Sequence, residues 1–117
     1  MSYSLPLDLN VIQTLRELPA GGERLVGRLV HVYLEDAPDN IDALHAALEK
    51  DDAGAVAFAA HSLKSSSANL GARRIAALAA EVEQSARSGS LAGCEQRLRD
   101  IRAAYADVRQ ELLQLAE

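Results

Sequence analysis

Apolar residues recur along this chain at steps of three and four, the period of amphipathic helices, between short breaks rich in glycine, proline and serine. A first short helix is predicted from Asp8, a good N-cap, through Leu9, Ile12 and Leu15 to Leu18. A second begins near Glu23 and buries Val26, Val30 and Leu34. Pro38 should end or kink it, yet the stripe runs on in phase through Ala37, Ile41, Leu44 and Leu48. One long helix kinked at Pro38 is the preferred reading, with two helices as the alternative. Asp51 or Asp52 caps a third helix, and Gly71 closes it. The fourth spans about Ala72 to Arg87 and buries Ile75, Leu78, Ala79, Val82 and Ala86, after which "RSGS" ends it. The fifth carries Leu91, Cys94, Leu98, Ile101, Tyr105, Val108, Leu112 and Leu115 without a missed step.

That last stripe fits a coiled-coil seam with a second chain, or the closing face of an intramolecular bundle. Short connections favour antiparallel neighbours and hence the bundle. The predicted fold is all-α: an up-and-down antiparallel four-helix bundle over residues 22–116, with a short additional N-terminal helix over about 8–18. The 117 residues are expected to form one domain, large enough to bury roughly two-thirds of the unfolded surface. A 3% aromatic content suits helices better than sheets.

Charge and cysteine content narrow the function. A net charge of -5 and a pI near 5.1 argue against a nucleic-acid or anionic-membrane partner. The single Cys94 permits no internal disulfide and fits a reducing compartment. Nothing reads as a signal peptide or a membrane span, and a cytoplasmic monomer is the expectation.

The candidate chemistry lies in "AAHSLKSSSANLGARR", residues 59–74. On a helical wheel Val56, Ala60, Leu63, Ser67 and Leu70 face the core, with Ala59 at the edge. His61 lies on the flank, beside Ala57, Lys64, Ser65 and Ala68. Lys64 and Ser65, at i+3 and i+4, are its immediate neighbours. A lone surface histidine is ordinarily just solvated. This one is ringed by small side chains with one cation close by, which suits an imidazole nucleophile that accepts a phosphoryl group from a bulky partner. Lys64 can balance the added negative charge.

The run "HSLKSSSANLGARRIAALAAEVEQSAR" resembles the histidine-containing phosphotransfer (Hpt) domain of phosphorelays. The matching pattern is His61, an aliphatic Leu63, Lys64, the small residues Ser65 to Ala68, and the pair Leu70–Gly71. The upstream "YLEDAPDNIDALHAALEKDDAGAVAFAAHSLK" is similar to the family's preceding two helices, and the likeness extends over roughly residues 22–115. Ser65 departs from it, since many members carry glycine there.

The resemblance implies that His61 accepts a phosphoryl group from an aspartyl-phosphorylated receiver domain and passes it to another. Glu83 on the fourth helix would accept a hydrogen bond from Nδ1–H, an assignment that antiparallel geometry also permits, and Arg87 could reach back as a second cation. The partners implied are response-regulator receivers or a hybrid sensor histidine kinase, with catalytic Mg²⁺ on the receiver. No P-loop is present, so the chain reads as a phosphocarrier without kinase activity or a cofactor of its own. A helical adaptor without phosphotransfer and a histidine-kinase dimerisation fragment are the alternatives. Against the latter, Ser62 rather than an acid follows the histidine, and no proline follows it anywhere.

Phe58 is either an apolar docking contact, together with Ala57 and Ala68, or packs under the N-terminal segment. His31 and His45, 14 residues apart with no acidic or cysteine partner read at ligand spacing, suggest no metal site.

Overall fold

A computed structural model describes residues 6–115 and is entirely helical among them. The order is α1 (Leu9–Arg16), α2 (Gly22–Glu49), α3 (Ala53–Asn69), α4 (Arg73–Arg87) and α5 (Cys94–Leu115). From α2 to α5 each helix packs on the next, and α5 returns to α2, so the four close into an up-and-down bundle. The additional helix, α1, lies against α2. The expected end of the bundle at residue 116 lies outside the described residues.

Asp8 caps α1 by accepting from the Asn10 N–H at 3.0 Å. The helix stops at Arg16, short of the expected Leu18. Pro19 disfavours helical geometry for the residue before it, and Leu18 is left exposed. The turn into α2 is tight: a Cβ on Gly22 would collide with the carbonyl oxygens of Leu15 and Arg16, so only glycine fits this corner.

Pro38 does not divide α2, which runs unbroken for 28 residues. Its buried stripe is Val26, Val30, Tyr33, Ala37, Ile41, Leu44 and Leu48. Tyr33, not the expected Leu34, continues it, and Leu34 is half-buried. The tyrosine can be buried because its hydroxyl shares a 2.8 Å hydrogen bond with Ser67 of α3.

Of the two cap candidates, Asp52 holds the N-terminus of α3, accepting from the Ala55 N–H at 3.1 Å, while Asp51 takes a left-handed conformation. Gly71, with φ +80°, turns the chain into α4. A Cβ there would stand 2.9 Å from the Asp8 carbonyl oxygen, and the Asp8 N–H donates to the Gly71 carbonyl at 2.8 Å. Arg73 adds an ion pair to Asp8 at 2.5 Å. The entry to α1 is thereby fastened onto the α3–α4 turn.

On α4 the five predicted core residues are buried, and Glu83 is buried with them. On α5 Cys94, Leu98, Ile101, Val108 and Leu112 are buried, while Tyr105 and Leu115 pack half-buried against the core. Leu91, expected on this helix, lies in the turn before it, because Gly93 takes φ +77° and the helix begins only at Cys94; its side chain still packs half-buried against the core. No helix among the described residues is long and apolar enough to cross a membrane.

Candidate functional site

The α3–α4 pair is antiparallel about the turn at Gly71–Ala72, so residues equally distant from that turn stand level. His61 and Glu83 come within one residue of this condition, close enough for their side chains to meet. The His61 Nδ1 lies 3.0 Å from Glu83 Oε2 across the two helices. Its ring remains half-exposed, with 54% of the side chain accessible, whereas the Glu83 side chain is only 9% accessible.

A buried carboxylate costs several kcal/mol unless its oxygens are engaged, and here both are. Lys64 Nζ donates to Oε1 at 2.7 Å. Arg87, one turn along α4, donates to Oε2 through Nε at 3.0 Å and Nη2 at 2.7 Å. The Lys64 ammonium first, then the Arg87 guanidinium, hold the Glu83 carboxyl down to about 2, against burial that pushes the other way; His61 adds a smaller contribution. Glu83 is therefore an anion at neutral pH and can only accept. The facing ring nitrogen must then carry a proton: Nδ1–H donates to Oε2. This tautomer leaves Nε2 with its lone pair, and among the described residues no side-chain hydrogen bond engages that atom.

The structure thus brings four of the expected residues together, His61, Lys64, Glu83 and Arg87, with one change of emphasis. Neither cation stands free beside the imidazole; both are drawn onto Glu83. Ser65 is exposed and borders the same open depression as His61.

The expected docking residues separate. Phe58, one turn N-terminal to His61 on the outer face, is 75% exposed, and the described part of the N-terminal segment does not cover it. Ala68 is exposed as well. Ala57 is a correction: only 6% of it is accessible. Because α3 packs against both α2 and α4, its buried face is wider than one stripe, and an alanine at its margin is too short to emerge.

His31 and His45 stay apart from the site. Each does have an acidic neighbour one turn on, Glu35 at 3.6 Å and Glu49 at 3.5 Å, contrary to the expectation of none. These are solvated i,i+4 pairs, and no group of three metal-ligating side chains forms among the described residues.

Two features escaped the sequence reading. One is the Tyr33–Ser67 pair; a serine on the core stripe was its only signal. The other is that Asp36 and Asp39 of α2 border the His61 depression. Their i,i+3 spacing puts them on one face, but only the packing of α2 on α3 shows which face that is.

Residues 28–111 match the family model described as the Hpt domain. Among solved structures, histidine-containing phosphotransfer protein B (HptB) from Pseudomonas aeruginosa PAO1 is similar, with 32% identity and a TM-score of 0.88 over 96% of this chain and 95% of that one. The HPT domain of a sensor hybrid histidine kinase from Shewanella shares the fold, with 16% identity and a TM-score of 0.78 over 94% of this chain and 92% of the other. Comparison with curated proteins finds no match.

Proposed function

The chain belongs to the Hpt domain family, whose members are phosphocarriers of two-component signalling rather than kinases, and on that premise we propose that His61 is its phosphoryl acceptor. The donor is a receiver domain carrying an aspartyl phosphate, and a second receiver takes the group onward. Residues 1–117 act as one such unit, as a monomer.

The observation that carries the reading is the 3.0 Å contact of the His61 Nδ1 with Glu83 Oε2 beneath a half-exposed ring. The Nε2 lone pair attacks phosphorus, the bond from phosphorus to the aspartyl oxygen breaks, and the aspartate leaves as a carboxylate. No proton has to move, because Nδ1–H keeps its own. The ring, now substituted on both nitrogens, gains a positive charge, and the Glu83 carboxylate already faces it. Glu83 is thus a positioning residue that fixes the tautomer and stabilises the charged product. Arg87 anchors Oε2, which lets Lys64 turn from Oε1 toward the incoming phosphoryl oxygens. Ser65, small at i+4, leaves room for the receiver, which supplies the catalytic Mg²⁺. Exposed Phe58 and Ala68 give it apolar and flat ground on which to dock.

The test is labelling. With ATP alone the protein should take up no phosphate. With a cognate phosphorylated receiver and Mg²⁺ it should acquire an acid-labile, alkali-stable label, the mark of a phosphoramidate rather than a serine ester. His61→Gln should fold and remain unlabelled, His31→Gln and His45→Gln should match wild type, and Lys64→Ala should be labelled more slowly. Full labelling of His61→Gln would overturn the assignment.

A further inference from the structure

The two sides of His61 carry opposite charge. Toward α4 stand Lys64 and Arg87, both engaged by Glu83, leaving that side one positive charge in excess. On the open side, the depression bordered by His61 and Ser65 is walled by Asp36 and Asp39 of α2. Both are exposed, and among the described residues neither is paired with a cation. From Val32 to Leu48 the helix has Glu35, Asp36, Asp39 and Asp42 and no lysine or arginine.

A phosphoryl donor approaching this histidine brings more negative charge. Exposed charges within about 8 Å of one another are not fully screened at physiological salt. A donor whose rim is also acidic is repelled at encounter; one with a lysine or arginine beside its phosphoaspartate is drawn in and held in register. Accepting the reading of His61 above, we propose that Asp36 and Asp39 are partner-selecting residues. They fit a receiver domain with a basic side chain on the rim of its phosphorylation site, seated over the α2 wall of the depression. The selection acts on docking and leaves the transfer step to His61 and its supports.

The experiment measures transfer from a panel of phosphorylated receivers to wild type, Asp36→Asn/Asp39→Asn and Asp36→Lys/Asp39→Lys. Both aspartates are exposed and have no salt-bridge partner among the described residues, so the variants should melt like wild type, which circular dichroism checks. For the preferred receiver, the Asn pair should raise KM about 3- to 10-fold with kcat unchanged, and the Lys pair should raise it further. The difference should shrink in 0.5 M salt, to about the level expected for screened surface charge. A control pair, Glu35→Gln/Asp42→Asn, removes the same charge from α2 away from the depression and should leave KM near wild type. An unchanged KM in the Asn pair, or an equal rise in the control pair, would overturn the proposal while the acceptor role of His61 stands. Wild type unlabelled by every receiver would remove the acceptor reading itself, and this proposal with it.

Discussion

Glu83 combines burial with full charge, and its neighbours decide what that costs. Its carboxyl is held near 2, compared with about 4.5 in the free side chain, so the unfolded chain binds more protons than the folded one between those values. Stability from this group is therefore fully present above pH about 4.5 and is lost as pH falls toward 2. Glu83→Gln should destabilise the protein by about 1–3 kcal/mol at neutral pH, because Lys64 and Arg87 lose the buried carboxylate that both engage. The gap from wild type should close by pH 2, as urea midpoints measured across that range would reveal. The amide oxygen can still accept from Nδ1–H, so this variant should keep part of its labelling. Glu83→Ala, with no acceptor, should lose more.

Between helices, the Tyr33–Ser67 hydrogen bond joins α2 to α3 inside the core, two turns from His61 along α3. Tyr33 also meets Tyr105 of α5, with ring centroids 6.1 Å apart, so one side chain ties three helices. Burial pushes the Tyr33 hydroxyl up to about 12, with the bond to Ser67 partly offsetting the rise. This contribution to stability persists to pH about 10 and fades as pH climbs through 12. Tyr33→Phe and Ser67→Ala each strand one buried polar group and should each cost about 1–3 kcal/mol. The double variant strands none and should cost clearly less than the sum. A double-mutant cycle by urea unfolding measures the coupling; simple additivity would mean that the two hydroxyls do not depend on each other.

At the scale of the whole molecule, the bundle measures 44 × 32 × 21 Å, and its long axis matches the roughly 42 Å that 28 helical residues span. The regular stripe of α5 is spent within this body: Ile101, Val108 and Leu112 are almost wholly inaccessible. No seam of that kind remains for a second copy, so sedimentation at micromolar concentration should return a monomer. A stable dimer would mean that some other face associates, and exposed Leu113 and Val32 would be the first residues to test.

Helix positions and the existence of one bundle could be read directly from the chain because both depend on local rules. Three- and four-residue spacing marks the face that must be buried, Asp8 and the Asp51–Asp52 pair mark where orphan N–H groups need an acceptor, and Gly71 marks where φ turns positive. His61 and Lys64 were legible for the same reason, since i and i+3 share a face whatever the tertiary fold. Packing decided the rest. Whether Lys64 and Arg87 face the imidazole or Glu83 depends on how deeply α4 buries the carboxylate, because a desolvated anion draws in every cation within reach. Ala57 vanished from the docking surface, and Tyr33 displaced Leu34 from the stripe, because each is covered or satisfied by a neighbouring helix that no spacing rule represents. Spacing ranks residues around one axis; only the approach of a second axis determines which of them meet solvent, and which meet each other.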